Sequence, residues 1–326
     1  NREGLATVPP NEGPVHDLAP TEVEYQLERM KNNKSTGPDE LPIDLIKLLK
    51  ERGINWMTLC LREIMRNGIP QEWRTSVITP IFKQKGDPLM CGNYRGIKLL
   101  SHCLKLLERV IEARLRLIVN IKQNQYGLQK GRSTTEPMFC LRILQEKFRE
   151  FNRDLHMVFV DLEKAYDTIP RDLIWYCLRR RGVPEGYIKT IQDMYENCST
   201  KVRTTSGNTE AIEIQVGLHQ GPALSPLLLI FIMDVITEDI GGDTPWAMLF
   251  ADDLVLCDSS REHLERRLEI WRERMESVGL KLSRSKTEYL PPAGDYGNIL
   301  TKKYSSDEME TRSEEHTSEL QSLTNL

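Results

Sequence analysis

None of the 326 residues lies in an apolar run approaching the roughly 18 residues that a membrane-spanning helix needs. The longest apolar stretch, residues 224–236, is interrupted by Ser225, Pro226 and Asp234, so no membrane partner is expected. Cysteine pairing is missing too. Cys60, Cys91, Cys103, Cys140, Cys177, Cys198 and Cys257 include no Cys-x-x-Cys pair and sit beside no His cluster. That argues against a structural zinc and predicts reduced thiols in an intracellular setting, most of them packed as small apolar residues. The start has no signal-peptide character, because Asn1-Arg2-Glu3-Gly4 runs into prolines without an apolar core. With no initiator Met, residue 1 is expected to lie inside a longer reading frame. Net charge is also small, at −4, which taken alone argues against a nucleic-acid partner.

The distribution of that charge points the other way. Residues 62–153 hold 18 Lys/Arg against 8 Asp/Glu, an asymmetry that attracts a phosphate backbone and makes binding salt-dependent. For Lys105, Arg109, Arg114 and Arg116 a solvated helix face explains the charges equally well. Lys130-Gly131-Arg132-Ser133-Thr134, a glycine-containing loop with polar donors, favours phosphate contact. With 39% hydrophobic and 28% charged residues the composition is that of an ordinary globular protein, long enough for two or more cores.

Two acidic sites carry the most specific information. His156-Met157-Val158-Phe159-Val160 is a β-prone run that ends at Asp161. Met248-Leu249-Phe250-Ala251 and Leu254-Val255-Leu256-Cys257 are apolar runs meeting at Asp252-Asp253, the pattern of a tight hairpin with carboxylates at its tip. If these strands are neighbours, Asp161 and Asp252 face each other, and like charges so close repel and are costly to desolvate. Two divalent cations about 3.5–4 Å apart remove that objection while clamping the attacking and leaving oxygens of an in-line phosphoryl transfer. Adjacent aspartates also suit a plain turn. Tyr166, five residues beyond Asp161 and next to the small Ala165, adds an aromatic placed to wall the sugar side of a nucleotide pocket.

Taken in order, these segments and several others resemble the reverse transcriptase of a non-LTR, LINE-type (RTE-like) retrotransposon over residues 20–290. The resemblance implies that segment 159–167 is motif A, with Asp161 binding both metals and Tyr166 acting as a gate against ribonucleotides. Phe250-Ala251-Asp252-Asp253 resembles motif C, which gives Asp252 the second metal-binding role and Asp253 a supporting one. Asp161, Leu162, Asp252 and Asp253 are thus the implied site for two Mg²⁺ ions, with Mn²⁺ as an alternative. Gly217-Leu218-His219-Gln220-Gly221-Pro222 resembles motif B, where Gln220 would touch the incoming nucleotide. Ile81-Phe82-Lys83-Gln84-Lys85-Gly86-Asp87 and Asn93-Tyr94-Arg95-Gly96-Ile97 resemble the finger motifs that grip the triphosphate. That implies Lys83 and Arg95, with Lys85 competing for the lysine role and Gly96 standing where the family usually has Pro. Gln125-Tyr126-Gly127-Leu128-Gln129-Lys130-Gly131-Arg132 resembles the template-contacting segment, implying Lys130 and Arg132. Gly279-Leu280-Lys281-Leu282-Ser283 with Lys286-Thr287-Glu288 resembles motif D, in which Lys286 would protonate pyrophosphate.

The implied activity is RNA-directed DNA polymerisation, with an RNA template, a DNA primer or target and dNTPs as partners, in the nucleus or cytoplasm. A group II intron or telomerase-like reverse transcriptase is the enzymatic alternative, and an inactive nucleic-acid-binding remnant the other. The oligomeric state is left open.

The expected architecture is α+β: right-hand polymerase fingers and palm, an antiparallel palm sheet backed by helices, and a thumb largely missing. The prolines of residues 1–20 predict a disordered lead-in. Thr21 and Glu24 read as a capping box. Fingers with an N-terminal helical extension are expected over 21–154, with a break at Thr79-Pro80, and a palm with motifs A to D over 155–290. A truncated, disordered tail is expected over 291–326. Within it, residues 312–322 resemble a translated sequencing adapter, so the genuine frame is expected to stop near Thr311.

Overall fold

The computed structural model describes residues 7–292 except Lys130, Gln220, Pro222 and Asp243, together with the backbone of strands 302–304 and 309–311; the Arg95 side chain is also outside the described set. The helices are α1 (Pro20–Glu28), α2 (Ile43–Leu48), α3 (Lys50–Asn67), α4 (His102–Ile118), α5 (Thr135–Glu150), α6 (Ala165–Thr168), α7 (Arg171–Arg180), α8 (Glu185–Tyr195), α9 (Leu224–Ile236) and α10 (Arg261–Ser277). The strands are β1 (Thr75–Phe82), β2 (Tyr94–Leu99), β3 (His156–Val160), β4 (Ser199–Thr204), β5 (Gly207–Asn208), β6 (Ile212–Glu213), β7 (Ala247–Phe250), β8 (Asp253–Asp258), β9 (Glu288–Leu290), β10 (Lys302–Tyr304) and β11 (Met309–Thr311). No described helix is long and apolar enough to cross a membrane. The fold is α+β, and its compact units are discontinuous in sequence: one takes residues 1–120 and 171–228, the other 121–170 and 229–326.

In the first unit, α3 and α4 bury the apolar stripes that their spacing predicts, Met57, Leu61 and Ile64 on one and Leu104, Leu107, Ile111 and Leu115 on the other. Ser101 caps α4 by accepting from the Cys103 N–H at 3.2 Å. The sheet runs β2-β1-β4-β5, with β6 also on β4. Pro80 does not break β1, contrary to expectation. Parallel pairing with β4 ends at Ile78, whereas antiparallel pairing with β2 continues to Phe82. Past Ile78 one side of β1 is therefore an edge, where a missing N–H costs no ladder bond.

The lead-in corrects a second expectation. Residues 7–19 are built into the first unit: Leu18 is fully buried, and its carbonyl accepts from Arg62 Nε at 2.8 Å and Nη2 at 2.6 Å. Arg114 reaches the carbonyls of His16 and Asp17 and the Glu22 carboxylate. Proline content marks a segment without regular structure, and here arginine side chains supply the bonds that secondary structure would have made. The capping box moves as well. Helix α1 starts two residues early, at Pro20 with Ala19 as its N-cap, and Glu22 accepts from the Ala19 N–H at 2.8 Å. Ala19 has no side-chain acceptor, so only the glutamate half of the box forms.

The second unit is organised by a six-stranded sheet, β11-β10-β9-β3-β8-β7. The alternation of β3 and β8 sends Val158, Val160, Leu254 and Leu256 to one face, all at most 4% exposed. Met157, Phe159, Val255 and Cys257 lie on the other face, packed with Tyr126, Leu155, Met248 and the α5 residues Cys140, Leu141, Leu144 and Phe148. Helix α10 lies along β8 and β3 and buries Leu264, Leu268, Trp271 and Met275. A strand covered on both faces ends in an environment that holds its last side chains in place. Asp161 follows β3 directly.

Candidate active site

Strand β3 is antiparallel to β8, with Val160 opposite Leu254, and β8 is antiparallel to β7, with Phe250 opposite Asp253. This register brings Asp161 and the turn Ala251-Asp252 to the same end of the sheet, the convergence expected from the two apolar patterns. Ala251 has φ +59°, a left-handed conformation that costs a non-glycine residue about 1–2 kcal/mol. The stretch after α10 completes the site. Glu163 N–H donates to the Lys281 carbonyl at 2.8 Å and Ser283 N–H to the Asp161 carbonyl at 2.7 Å, flanking the Leu162–Leu282 bridge. A turn from Ser283 then returns Lys286, whose Nζ lies 2.5 Å from Asp161 Oδ2.

The charge of Asp161 is felt at both Asp252 and Asp253. Desolvation raises the Asp252 pKa, the charge of Asp161 raises it further, and Lys286 opposes both. Asp253 is pushed up to about 6, by desolvation first and then by Asp252 and Asp161. Its side chain keeps an exposed edge, where solvent softens the desolvation penalty and leaves like-charge repulsion as the firmer cause. Hydrogen bonding to Asp161 raises the Lys286 pKa, so the ammonium is the counter-charge of the cluster. Tyr166, on α6, is pushed up to about 12 by burial and by the charge of Asp252. The tyrosine thus stands beside the acidic group, as its spacing from Asp161 suggests.

Among the described residues no three His, Cys, Asp or Glu side chains converge as a ready-made metal cage. A hard cation such as Mg²⁺ needs none, since it binds through one or two carboxylates and keeps waters and substrate phosphates as its other ligands. Asp161 and Asp252 are oxygen donors of that kind, forced together against their own repulsion, so the residues present fit the group. The Leu162 side chain is buried, 4% exposed, which leaves its backbone carbonyl as the only donor it can offer. Neither flanking hydrogen bond uses that carbonyl.

The basic residues are placed differently. Lys83 closes the β1–β2 hairpin through its side chain, donating to the Gly92 carbonyl at 2.9 Å, and Lys85 lies exposed in the same loop. Arg95 is on β2 opposite Ile81; its side chain, Lys130 and Gln220 are outside the described residues. Arg132 is turned back on its own loop. Its Nη1 donates to the Gln123 carbonyl at 2.5 Å, and the guanidinium stands 4.9 Å over the Tyr126 ring.

Two features escaped the sequence reading. One is the segment before Arg132, where the buried Gln125 side chain bonds to the backbone of Ala251. The other is a buried polar group in the first unit, next in sequence to Gln220. There the His219 ring stacks on Tyr195 with centroids 4.3 Å apart, and Tyr195 Oη lies 3.2 Å from Ser225 Oγ. Burial holds the His219 imidazole neutral. Glu108 is fully buried, and neither carboxylate oxygen has a hydrogen-bond partner among the described residues. Burial pushes its carboxyl up to about 8, against the pull of Lys105, Lys98 and Arg109. A signal for Glu108 did exist: it lies four residues after Leu104 and three before Ile111, inside the apolar stripe of α4.

Comparison with known proteins agrees with this geometry. The family model for the reverse transcriptase (RNA-dependent DNA polymerase) matches residues 82–307. The Pol polyprotein of a type-1 retrotransposable element R2 from Popillia japonica is 29% identical over 208 residues, covering 60% of this chain and 29% of the relative. A probable RNA-directed DNA polymerase from transposon X-element of Drosophila melanogaster is 26% identical over 265 residues, covering 77% of this chain and 28% of that protein. This chain therefore spans less than a third of the length of these relatives. An apo telomerase structure from Candida tropicalis, truncated from its C-terminal domain, superposes with a TM-score of 0.53 at 13% identity, covering 80% of this chain and 60% of the other, a likeness of fold. The chain belongs to the reverse transcriptase family, on its non-LTR retrotransposon branch.

Proposed function

We propose that this chain carries the nucleotidyl-transfer centre of an RNA-directed DNA polymerase, adding deoxynucleotides to a primer 3′-hydroxyl opposite an RNA template. The observation that carries the reading is the meeting of Asp161 with Asp252 and Asp253 at one end of a buried sheet, with Tyr166 alongside. Asp161, Asp252 and the Leu162 carbonyl would hold Mg²⁺, or Mn²⁺, with Asp253 in support. The chemistry such a cation supplies is a lowered hydroxyl pKa and neutralised charge on the reacting phosphates. Tyr166 would meet the sugar and exclude a 2′-hydroxyl, and Lys286 would give its proton to the departing pyrophosphate.

Lys83 or Lys85 with Arg95 would hold the triphosphate, and Gln220 would contact the incoming base pair. Lys130 is the better candidate for the template backbone, since Arg132 is engaged with its own loop. The division into fingers over 21–154 and palm over 155–290, the RTE-like placement and an intracellular home belong to the same proposal.

Primer extension with a chain lengthened to the span of its relatives tests it. Asp161→Ala should abolish extension and leave RNA binding measurable. Extension unchanged by that substitution refutes the assignment, and RNA binding without any Asp161-dependent synthesis favours a binding remnant.

A further inference from the structure

The segment resembling a template contact begins beneath the acidic turn of its own unit. Leu249 N–H donates to the Asn124 carbonyl at 2.9 Å and Tyr126 N–H to the Leu249 carbonyl at 2.8 Å, so residues 124–126 pair with β7 in parallel. Gln125, fully buried, turns its carboxamide to the next residues of the hairpin. Its Oε1 accepts from the N–H of Ala251 at 2.9 Å and of Gly127 at 2.9 Å, and its Nε2 donates to the Ala251 carbonyl at 3.3 Å. Two N–H groups converging on one oxygen fix the orientation of the amide, because the flipped amide would set its NH₂ against both. The approach is close enough to require glycine next door: a Cβ on Gly127 would stand 2.2 Å from the Ala251 nitrogen.

We propose that Gln125 is a positioning residue of the polymerase site, whose carboxamide holds Ala251 left-handed and thereby sets the direction of the Asp252 carboxylate. Ala251 has φ +59° and no side chain that stabilises such a conformation. A conformation of this kind persists only where its surroundings over-determine it. Both backbone polar groups of Ala251 are held by one side chain, and its carbonyl belongs to the peptide that joins it to Asp252. Rotation of that peptide would swing Asp252 away from Asp161. An uncharged amide accepts from two N–H groups through its oxygen while its separate nitrogen donates to the C=O, which is the pattern seen here. A carboxylate would add a like charge behind three aspartates.

The inference rests on the proposed function, and its test keeps the two apart by reading metal binding as well as synthesis. Gln125→Met preserves volume and removes the amide. Mn²⁺ binding followed by electron paramagnetic resonance should weaken about tenfold, the scale seen when a group orienting a metal ligand is lost. In the lengthened chain kcat should fall while the KM for dNTP changes little. Ala251→Gly placed on top of Gln125→Met should recover most of both losses, because glycine takes φ +59° without a clamp.

Unchanged Mn²⁺ affinity in Gln125→Met, a loss that Ala251→Gly does not relieve, or a double variant that still fails to melt cooperatively would each overturn the positioning role. A wild-type chain that binds Mn²⁺ through Asp161 yet makes no DNA would instead overturn the function, while the metal titrations still decide the role of Gln125.

Discussion

The acidic end of the β9-β3-β8-β7 sheet and the basic stretch over residues 62–153 pose the same question with opposite outcomes: whether a charge is held ready or consumed in holding the fold. Asp161 raises the cost of ionising Asp252 and Asp253, and an exposed lysine supplies the counter-charge of the cluster. For five arginines of the basic stretch the partners are already chosen. Arg62 is tied to Leu18, Arg74 to Ile69 and Asp193, Arg114 to Glu22, Arg116 to Glu112 and Arg132 to Gln123. A count of 18 Lys/Arg against 8 Asp/Glu thus overstates the charge held ready, because Arg74 and Arg114 pair with acids outside the stretch and Arg62 and Arg132 have donors occupied by carbonyls. Repulsion without satisfaction marks the place where a ligand is expected, and satisfied charge marks architecture.

The sharpest way to break that contrast is to remove one charge of each kind. Asp252→Asn should lower primer extension about 10³-fold, the scale of losing a group that stabilises transition-state charge, with the melting temperature held or raised because the repulsion is relieved. Arg114→Met should do the reverse, costing about 2 kcal/mol of stability from a half-buried ion pair and the hydrogen bonds around it and leaving the extension rate per folded molecule unchanged. A melting series beside single-turnover extension reads both. A drop in turnover with Arg114→Met, at full folding, would mean that the basic stretch is not architecture.

Lys286 pairs with the acidic cluster through Asp161, so its removal should separate its two roles. Lys286→Ala should slow single-turnover extension about 10²-fold if it is the proton donor. It should also tighten Mn²⁺ binding in the absence of nucleotide, since a cation then has no ammonium to displace from Asp161. Weaker Mn²⁺ binding in the variant would show that the lysine orients the carboxylate and does not compete for it.

Much of the acidic region was legible from residues alone because strand period and turn chemistry are local. The alternation in β3 and β8 and the Asp-Asp junction between two apolar runs put a carboxylate at each strand end, and the pairing of β3 with β8, which no local pattern gives, brings them to one sheet end. Lys286 could be placed only by resemblance, since its approach to Asp161 depends on the pairing of residues 281–283 with 161–163. The clamp by Gln125 was not legible at all: a glutamine in a polar loop looks like a surface residue until the turn it serves is known to need a positive φ. The lead-in failed for the same reason, as nothing local tells that Arg62 and Arg114 return to it. Pro80 was misread because a proline breaks a strand only where its missing N–H has a partner to lose.

Glu108 tests the contrast inside the first unit, where it is the one fully buried acid left unsatisfied among the described residues. Lys98, Lys105 and Arg109 bear on it without bonding it. Its folded pKa, about 8, is raised above the ordinary carboxylate value of 4.5. The folded state therefore binds more protons than the unfolded one between those limits, and stability falls as pH rises from about 4.5 to about 8. Glu108→Gln should remove this slope and be more stable than the parent at pH 8, by a margin on the order of a few kcal/mol, with little difference at pH 4.5. Melting curves at the two pH values decide it. Equal slopes in parent and variant would mean that Glu108 is charged and paired at neutral pH.

The smallest effect expected is at Arg132. A lysine or arginine that meets a phosphate adds about one to the slope of log affinity against log salt, whereas a side chain committed to protein carbonyls adds nothing. With Nη1 on the Gln123 carbonyl and the ring of Tyr126 beneath it, Arg132→Met should leave the salt slope of RNA binding unchanged and lower stability by about 1 kcal/mol. Lys130→Met, two residues earlier, should lower the slope by about one. If the two variants exchange these outcomes, Arg132 leaves its carbonyls when RNA arrives, and an arginine already bonded in the free protein is then no guide to which charges are held for use.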